Sequence, residues 1–129
     1  MRGSFLIVYT ILLVFAVARG YAVDIDIGAE LGFGGYATPD RWNPVTVTLV
    51  NRGSDASGTV IVTTRPVPEI GLDSAEFRTV LPFRAAAGAT VLVRTTVPLG
   101  RLIFPIVVDA VVHEQTVRSI RVYGKAPPR

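Results

Sequence analysis

The sequence contains no cysteine, which excludes disulfides, thiol catalysis, zinc–thiolate sites and redox motifs together. Methionine occurs once, as Met1, and histidine once, as His113. Multi-histidine metal sites are therefore ruled out, and a single imidazole is left for any catalytic triad. Charge is sparse as well, with 18% of residues being Asp, Glu, Lys or Arg. The formal charge of +3 shrinks when Arg2 and Arg19 are set aside with the first 22 residues, leaving 11 basic against 10 acidic. The remaining arginines (41, 52, 65, 78, 84, 94, 101, 118, 121, 129) are scattered singly along the chain. Nucleic-acid binding needs clustered positive charge facing phosphates, so no nucleic-acid partner is expected.

Apolar residues, in contrast, make up half of the 129, and the mean hydropathy is +0.47. Much of this sits in one run from Phe5 to Ala18, preceded by Arg2 and interrupted by Arg19. A basic start, an apolar stretch and small residues before the cut define a signal peptide. Gly20-Tyr21-Ala22 puts small side chains at the two positions a signal peptidase inspects, so cleavage after Ala22 is expected. Ala18-Arg19-Gly20 is the second candidate. A spanning helix needs about 20 apolar residues, and this run is shorter. The rival reading is an uncleaved anchor through residues 5–18. Either way the chain is expected to be exported, to the periplasm or the extracellular space, or held on the cytoplasmic membrane. Membrane contact is expected only through an uncleaved leader.

Beyond the leader, 107 residues can bury a core of modest stability. Their dominant period is two. From 23 to 33, Val23, Ile25, Ile27, Ala29, Leu31 and Phe33 alternate with Asp24, Asp26, Gly28, Glu30 and Gly32. Successive strand side chains point to opposite faces, so this segment reads as a half-buried strand. Six further strands are expected at 45–50, 59–64, 77–81, 90–97, 104–112 and 116–123, separated by segments rich in Gly, Pro, Asn, Asp and Ser. Phe104 to Val112 is nearly all apolar, as expected of a central strand covered on both faces, with Asp109 the exception and Pro105 at its start. No helical pattern competes. About seven short strands over some 100 residues predict an all-β, immunoglobulin-like antiparallel sandwich. The domain spans 23–123, and 124–129 reads as a flexible tail or linker.

A search for chemistry returns little. Asp24, Asp26 and Glu30 share a strand face, but Gly28 and Gly35 stand where a calcium loop needs ligands. No metal site is expected. His113 ends an apolar strand beside Glu114 and Gln115, which reads as a turn, and no sequence feature brings two carboxylates together for acid–base work. Gly32-Phe-Gly-Gly35 lacks phosphate-loop spacing and reads as strand twist relief or a bulge. No enzyme activity, catalytic residue or cofactor is expected. Trp42 is the most informative residue, either closing one end of the sandwich or anchoring a partner. Tyr36, Arg41 and Trp42 are the candidate partner contacts.

The stretch Tyr36-Ala-Thr-Pro-Asp-Arg-Trp42-Asn-Pro-Val-Thr-Val-Thr-Leu-Val-Asn51-Arg-Gly-Ser-Asp-Ala-Ser-Gly58 resembles the opening of Ig-like modules at the N-terminus of bacterial envelope and membrane-anchored proteins. Leu81-Pro82, then Gly88-Ala89 and a valine-rich strand, resemble their later half. The resemblance implies no catalytic residues. It implies a protein–protein interaction or spacer role among envelope proteins or within a larger membrane-anchored assembly, with edge-strand addition as the contact mechanism. The chain is then a stand-alone form or a piece of such a protein. Two other readings stay open. One is a carbohydrate-binding module with Tyr36, Trp42 and Tyr123 as an aromatic platform. The other is a periplasmic pilus-type chaperone-like domain, although a second domain and a basic anchor pair are not evident.

Overall fold

The alternation that marks residues 23–33 recurs in every segment that forms a strand. The computed structural model describes residues 23–65, 76–101 and 105–125. The expected leader, its helix and its cleavage site lie outside them, as do 126–129. The described residues form seven antiparallel strands: β1 Ile25–Leu31, β2 Trp42–Asn51, β3 Ala56–Thr64, β4 Phe77–Ala85, β5 Thr90–Pro98, β6 Ile106–Val112 and β7 Gln115–Val122. One sheet has the order β1-β2-β5 and the other β4-β3-β6-β7. This is an immunoglobulin-like sandwich in which the fourth strand pairs with the third, instead of joining the sheet of the first, second and fifth.

The inward series are Ile25 and Leu31; Val45, Val47 and Leu49; Val60 and Val62; Phe83 and Ala85; and Ile106, Val108, Ala110 and Val112, all buried between the sheets. At roughly 1.5–3 kcal/mol for each large aliphatic side chain buried, this two-faced core is the main source of stability. The strand β6 is central, as expected, but it is covered on one face only. Val107, Asp109 and Val111 form its outer series and are half-buried on the surface of the four-stranded sheet.

Three prolines lie within strands: Pro98 is the last residue of β5, itself an edge strand, and edge effects explain the other two. Pro44 is in β2, a central strand, yet β1 ends opposite Val45. The donor that Pro44 lacks has no β1 residue to serve, and its carbonyl still accepts from Gly32 N at 2.8 Å. β2 thus starts at Trp42, not Val45. Pro82 lies in β4, an edge strand, where proline is tolerated with its nitrogen facing away from the neighbour. β4 therefore runs on to Ala85 instead of stopping at Leu81.

Turn chemistry fixes the rest. Gly34 and Gly35, with φ of 61° and 84°, close a tight turn in which Phe33 and Tyr36 exchange backbone hydrogen bonds of 2.9 and 3.1 Å. The glycine cluster makes a type I′-like turn, not twist relief or a bulge in β1. His113 and Glu114 make the equivalent turn between β6 and β7 at φ of 51° and 62°, without glycine. A bulge does occur, in β7: Ala110 pairs with Arg118 and Val111 with Thr116, leaving Val117 over.

At the other end of β2, the buried Asn51 side chain donates to the carbonyls of Ser54 (2.8 Å), Ala85 (3.0 Å) and Ala86 (3.2 Å), and accepts from Gly53 N (3.0 Å). One amide thereby ties a loop of one sheet to the end of β4 in the other. Gly58 marks a second close approach. A Cβ built there would meet the Val111 carbonyl oxygen at 2.0 Å, whereas one at Gly28 meets nothing within 4 Å.

Two stability outcomes follow from these geometries. Gly58→Ala should lower the urea-unfolding free energy by about 2–3 kcal/mol, because backbone must move, while Gly28→Ala should be neutral or stabilising by a few tenths. Replacing His113-Glu114 by Asn-Gly should raise stability by about 1 kcal/mol, because two residues leave a left-handed conformation that costs them strain. Thermal melts of the double variant check this, and an unchanged or lower Tm contradicts it.

Candidate functional site

Antiparallel connectivity sends the segments that follow odd-numbered strands to one end of the sandwich and those that follow even-numbered strands to the other. Asn43, buried at the start of β2, organises the first kind. Its Oδ1 accepts from Thr38 N (2.8 Å), and its Nδ2 donates to the carbonyls of Thr38 (2.9 Å) and Arg41 (3.0 Å). Leu99 N donates to Arg41 O and Asp40 N to Gly100 O, which lashes this loop to the segment after β5. Lys125, after β7, joins from the other side: Tyr36 and Lys125 form a parallel bridge, with Ala37 N donating to Lys125 O (2.8 Å) and Lys125 N to Gly35 O (2.9 Å). The segment read as a tail from 124 is thus tied down as far as Lys125.

This end carries the candidate residues. Trp42 is 62% exposed, yet its ring meets Phe77 edge-on with centroids 5.5 Å apart and planes at 86°. It packs on Phe77 at the end of the sandwich and shows most of its surface to solvent. Tyr36 is 44% exposed, and Arg41 is exposed beside Trp42. Phe33 (75% exposed) and Tyr123 (70%) lie at the same end. Phe33 was not a candidate from sequence. Among the described residues the ring pair is Trp42–Phe77, and no ring contact joins Tyr36, Trp42 and Tyr123.

Charge follows the same division. Among the described connecting segments, this end holds Arg41, Arg65, Arg101 and Lys125 against Asp40 and Glu76. The opposite end holds Arg52 against Asp24, Asp55 and Glu114. Basic residues that are scattered along the chain are thus gathered by the fold.

A depression of about 430 Å³ opens on the outer face of the four-stranded sheet toward the same end. Thr63, Pro105 and Val107 give it an aliphatic floor, and Arg65, Arg121, Glu76 and Asp109 ring it. Two carboxylates therefore do share a site, but they share it with two guanidiniums, and His113 lies at the far end of β6.

Among the described residues no group of three or more His, Cys, Asp or Glu is placed to hold a metal ion, and no helix is long and apolar enough to cross a membrane. Asp26, one of the acidic residues on the β1 face, is paired with Arg52 (2.8 Å) and with Arg118 of β7.

The four sheet edges differ in how they are guarded. β1 lies against β7, and the Asp26–Arg118 pair bridges them, while β5 lies as closely against β4 with no ion pair between them among the described residues. β7 adds its bulge and Arg121. β4 carries Pro82 with Arg78 and Arg84. Prolines, bulges and edge charges are devices that discourage strand pairing. β5 has nine residues, one charge and no proline before Pro98. Asn51 N donates to Ala89 O and Leu99 N to Arg41 O, so odd-numbered residues of this strand bond to β2. By antiparallel alternation the backbone groups of Leu92, Arg94 and Thr96 point away from β2, and no described strand pairs with them.

No curated protein matches the chain. Residues 24–122, which run from the residue before β1 to the last residue of β7, match the family model described as a domain of unknown function, DUF8726. The sandwich and the family domain coincide, and the chain belongs to the DUF8726 family.

Proposed function

We propose that the chain is a non-enzymatic, exported module of the cell envelope that binds another protein by taking a partner strand onto the free edge of β5. The observation that carries this reading is the contrast among the edges. β1, β4 and β7 hold bridging charges, a mid-strand proline or a bulge, whereas β5, which lies against β4, carries its proline only at its last residue, Pro98, and turns outward backbone groups that no described strand pairs with. Backbone pairing supplies affinity in strand addition, and alternate side chains supply selectivity. Leu92, 56% exposed on the outer face, and Arg94 are the side chains a partner strand would meet. Export rests on the leader pattern of residues 1–22, and the envelope setting on the resemblance of 36–58 to Ig-like envelope modules.

Arg94→Pro isolates the edge. It removes one outward donor and leaves the β2 ladder intact, so the fold should survive, since proline is tolerated on edge strands. Val93→Pro, which removes a donor facing β2, should destabilise strongly. In pull-downs from envelope extract with the full chain as bait, a partner held by wild type should be lost at least about tenfold with Arg94→Pro, the scale of one or two lost backbone hydrogen bonds. Equal recovery by both contradicts strand addition at β5. No recovery, with a monodisperse monomer in solution, contradicts protein binding.

A further inference from the structure

The aromatic and basic end plays no part in strand addition at β5, and its composition has a consequence of its own. We infer that this end of the sandwich docks on an anionic lipid surface, a membrane contact separate from residues 1–22. Four exposed aromatic rings project there, Phe33, Tyr36, Trp42 and Tyr123, and none of the exposed aromatic side chains of the described residues lies at the other end. Tyrosine and tryptophan, with an apolar body and a polar tip, favour the boundary between headgroups and acyl chains. Arg41 and Lys125 flank Trp42 and Tyr36, and among the described connecting residues this end is basic while the opposite end is acidic. Cations beside the rings attract negative headgroups to them.

Shape separates a lipid surface from a peptide or a sugar. Small ligands and peptides bind in concavities that cover most of their surface. Three depressions, of about 430, 280 and 530 Å³, are lined by other residues and by none of these four rings. Exposed rings outside these depressions, three from the stretch 33–42 and one after β7, suit a fluid surface that needs no complementary shape. The geometry also sets an orientation. Val23 leaves the sandwich at the opposite end, roughly 25–30 Å away by strand length. A domain docked in this way holds its N-terminus outward and its residue 125 at the membrane.

Trp42 is the sole tryptophan of the whole chain, so its emission reports on this end even if the leader carries the protein to vesicles. With full-length protein and vesicles of phosphatidylglycerol and phosphatidylcholine, Trp42 emission should shift to the blue and be quenched by brominated lipid. Pure phosphatidylcholine or high salt should abolish both effects. Arg41→Gln and Lys125→Gln should each weaken the titration roughly fivefold, the equivalent of about 1 kcal/mol per surface charge. Neither side chain is part of the core. Unchanged Trp42 emission on vesicles that sediment the protein overturns the inference, because the leader alone would then be bound. The same blue shift with polyglutamate in the absence of lipid also overturns it, and assigns the end to acidic polymers.

Discussion

The inner face of β2 carries the constraint on which the rest of the molecule depends. It reads Asn43, Val45, Val47, Leu49, Asn51, and all five side chains are buried. The apolar centre fills the space between the sheets. The two amides at its ends satisfy the loop carbonyls that would otherwise be sealed from water, each unmet group costing about 1–3 kcal/mol. A valine at either position would extend the core and leave those carbonyls without donors. Asn51 joins the two sheets at the acidic end, and Asn43 shapes the loop that presents Arg41 and Trp42 at the basic one. One strand therefore determines both where the core stops and what the surface offers at each end.

The function proposed for this domain is a matter of edges and ends. Among the described residues the one imidazole is at the opposite end from the depression that holds two carboxylates. What the fold leaves open is a strand edge, an apolar strip on the outer face of β6 and an aromatic, basic end. These surfaces adjoin: β5 ends at Pro98 opposite Trp42, and Arg65 and Glu76 line the depression over β6. A partner strand along β5 and a lipid surface at the aromatic end would together place a protein complex beside a membrane.

The strands were legible because period two survives wherever one face is buried, from Ile25–Leu31 to Ile106–Val112. Their limits were less so. Pro44 and Pro82 read as breakers, and only knowledge of which neighbour each would have bonded shows that both are harmless. Asp109 hinted that β6 has an uncovered face, but its neighbours' hydrophobicity hid this. The gathering of basic residues was invisible in the list of scattered arginines. In an antiparallel chain, connections alternate between ends, and Arg41, Arg65, Arg101 and Lys125 all fall after odd-numbered strands, as do Asp40, Glu69, Asp73 and Glu76, so the sequence alone shows no excess of charge there. Tyr36, Arg41 and Trp42 were found from their turn-rich context, whereas Phe33, two residues beyond β1, passed as the last residue of an alternating strand.

The claim on which this account turns is that β5 is an open edge, and residue-resolved amide hydrogen exchange measures it. Val91, Val93, Thr95 and Val97, whose amides face β2, should exchange slowly, while Leu92, Arg94 and Thr96 exchange at close to unprotected rates. Uniform protection along the whole of β5 in the isolated protein would mean that the edge is already occupied, and would contradict the account.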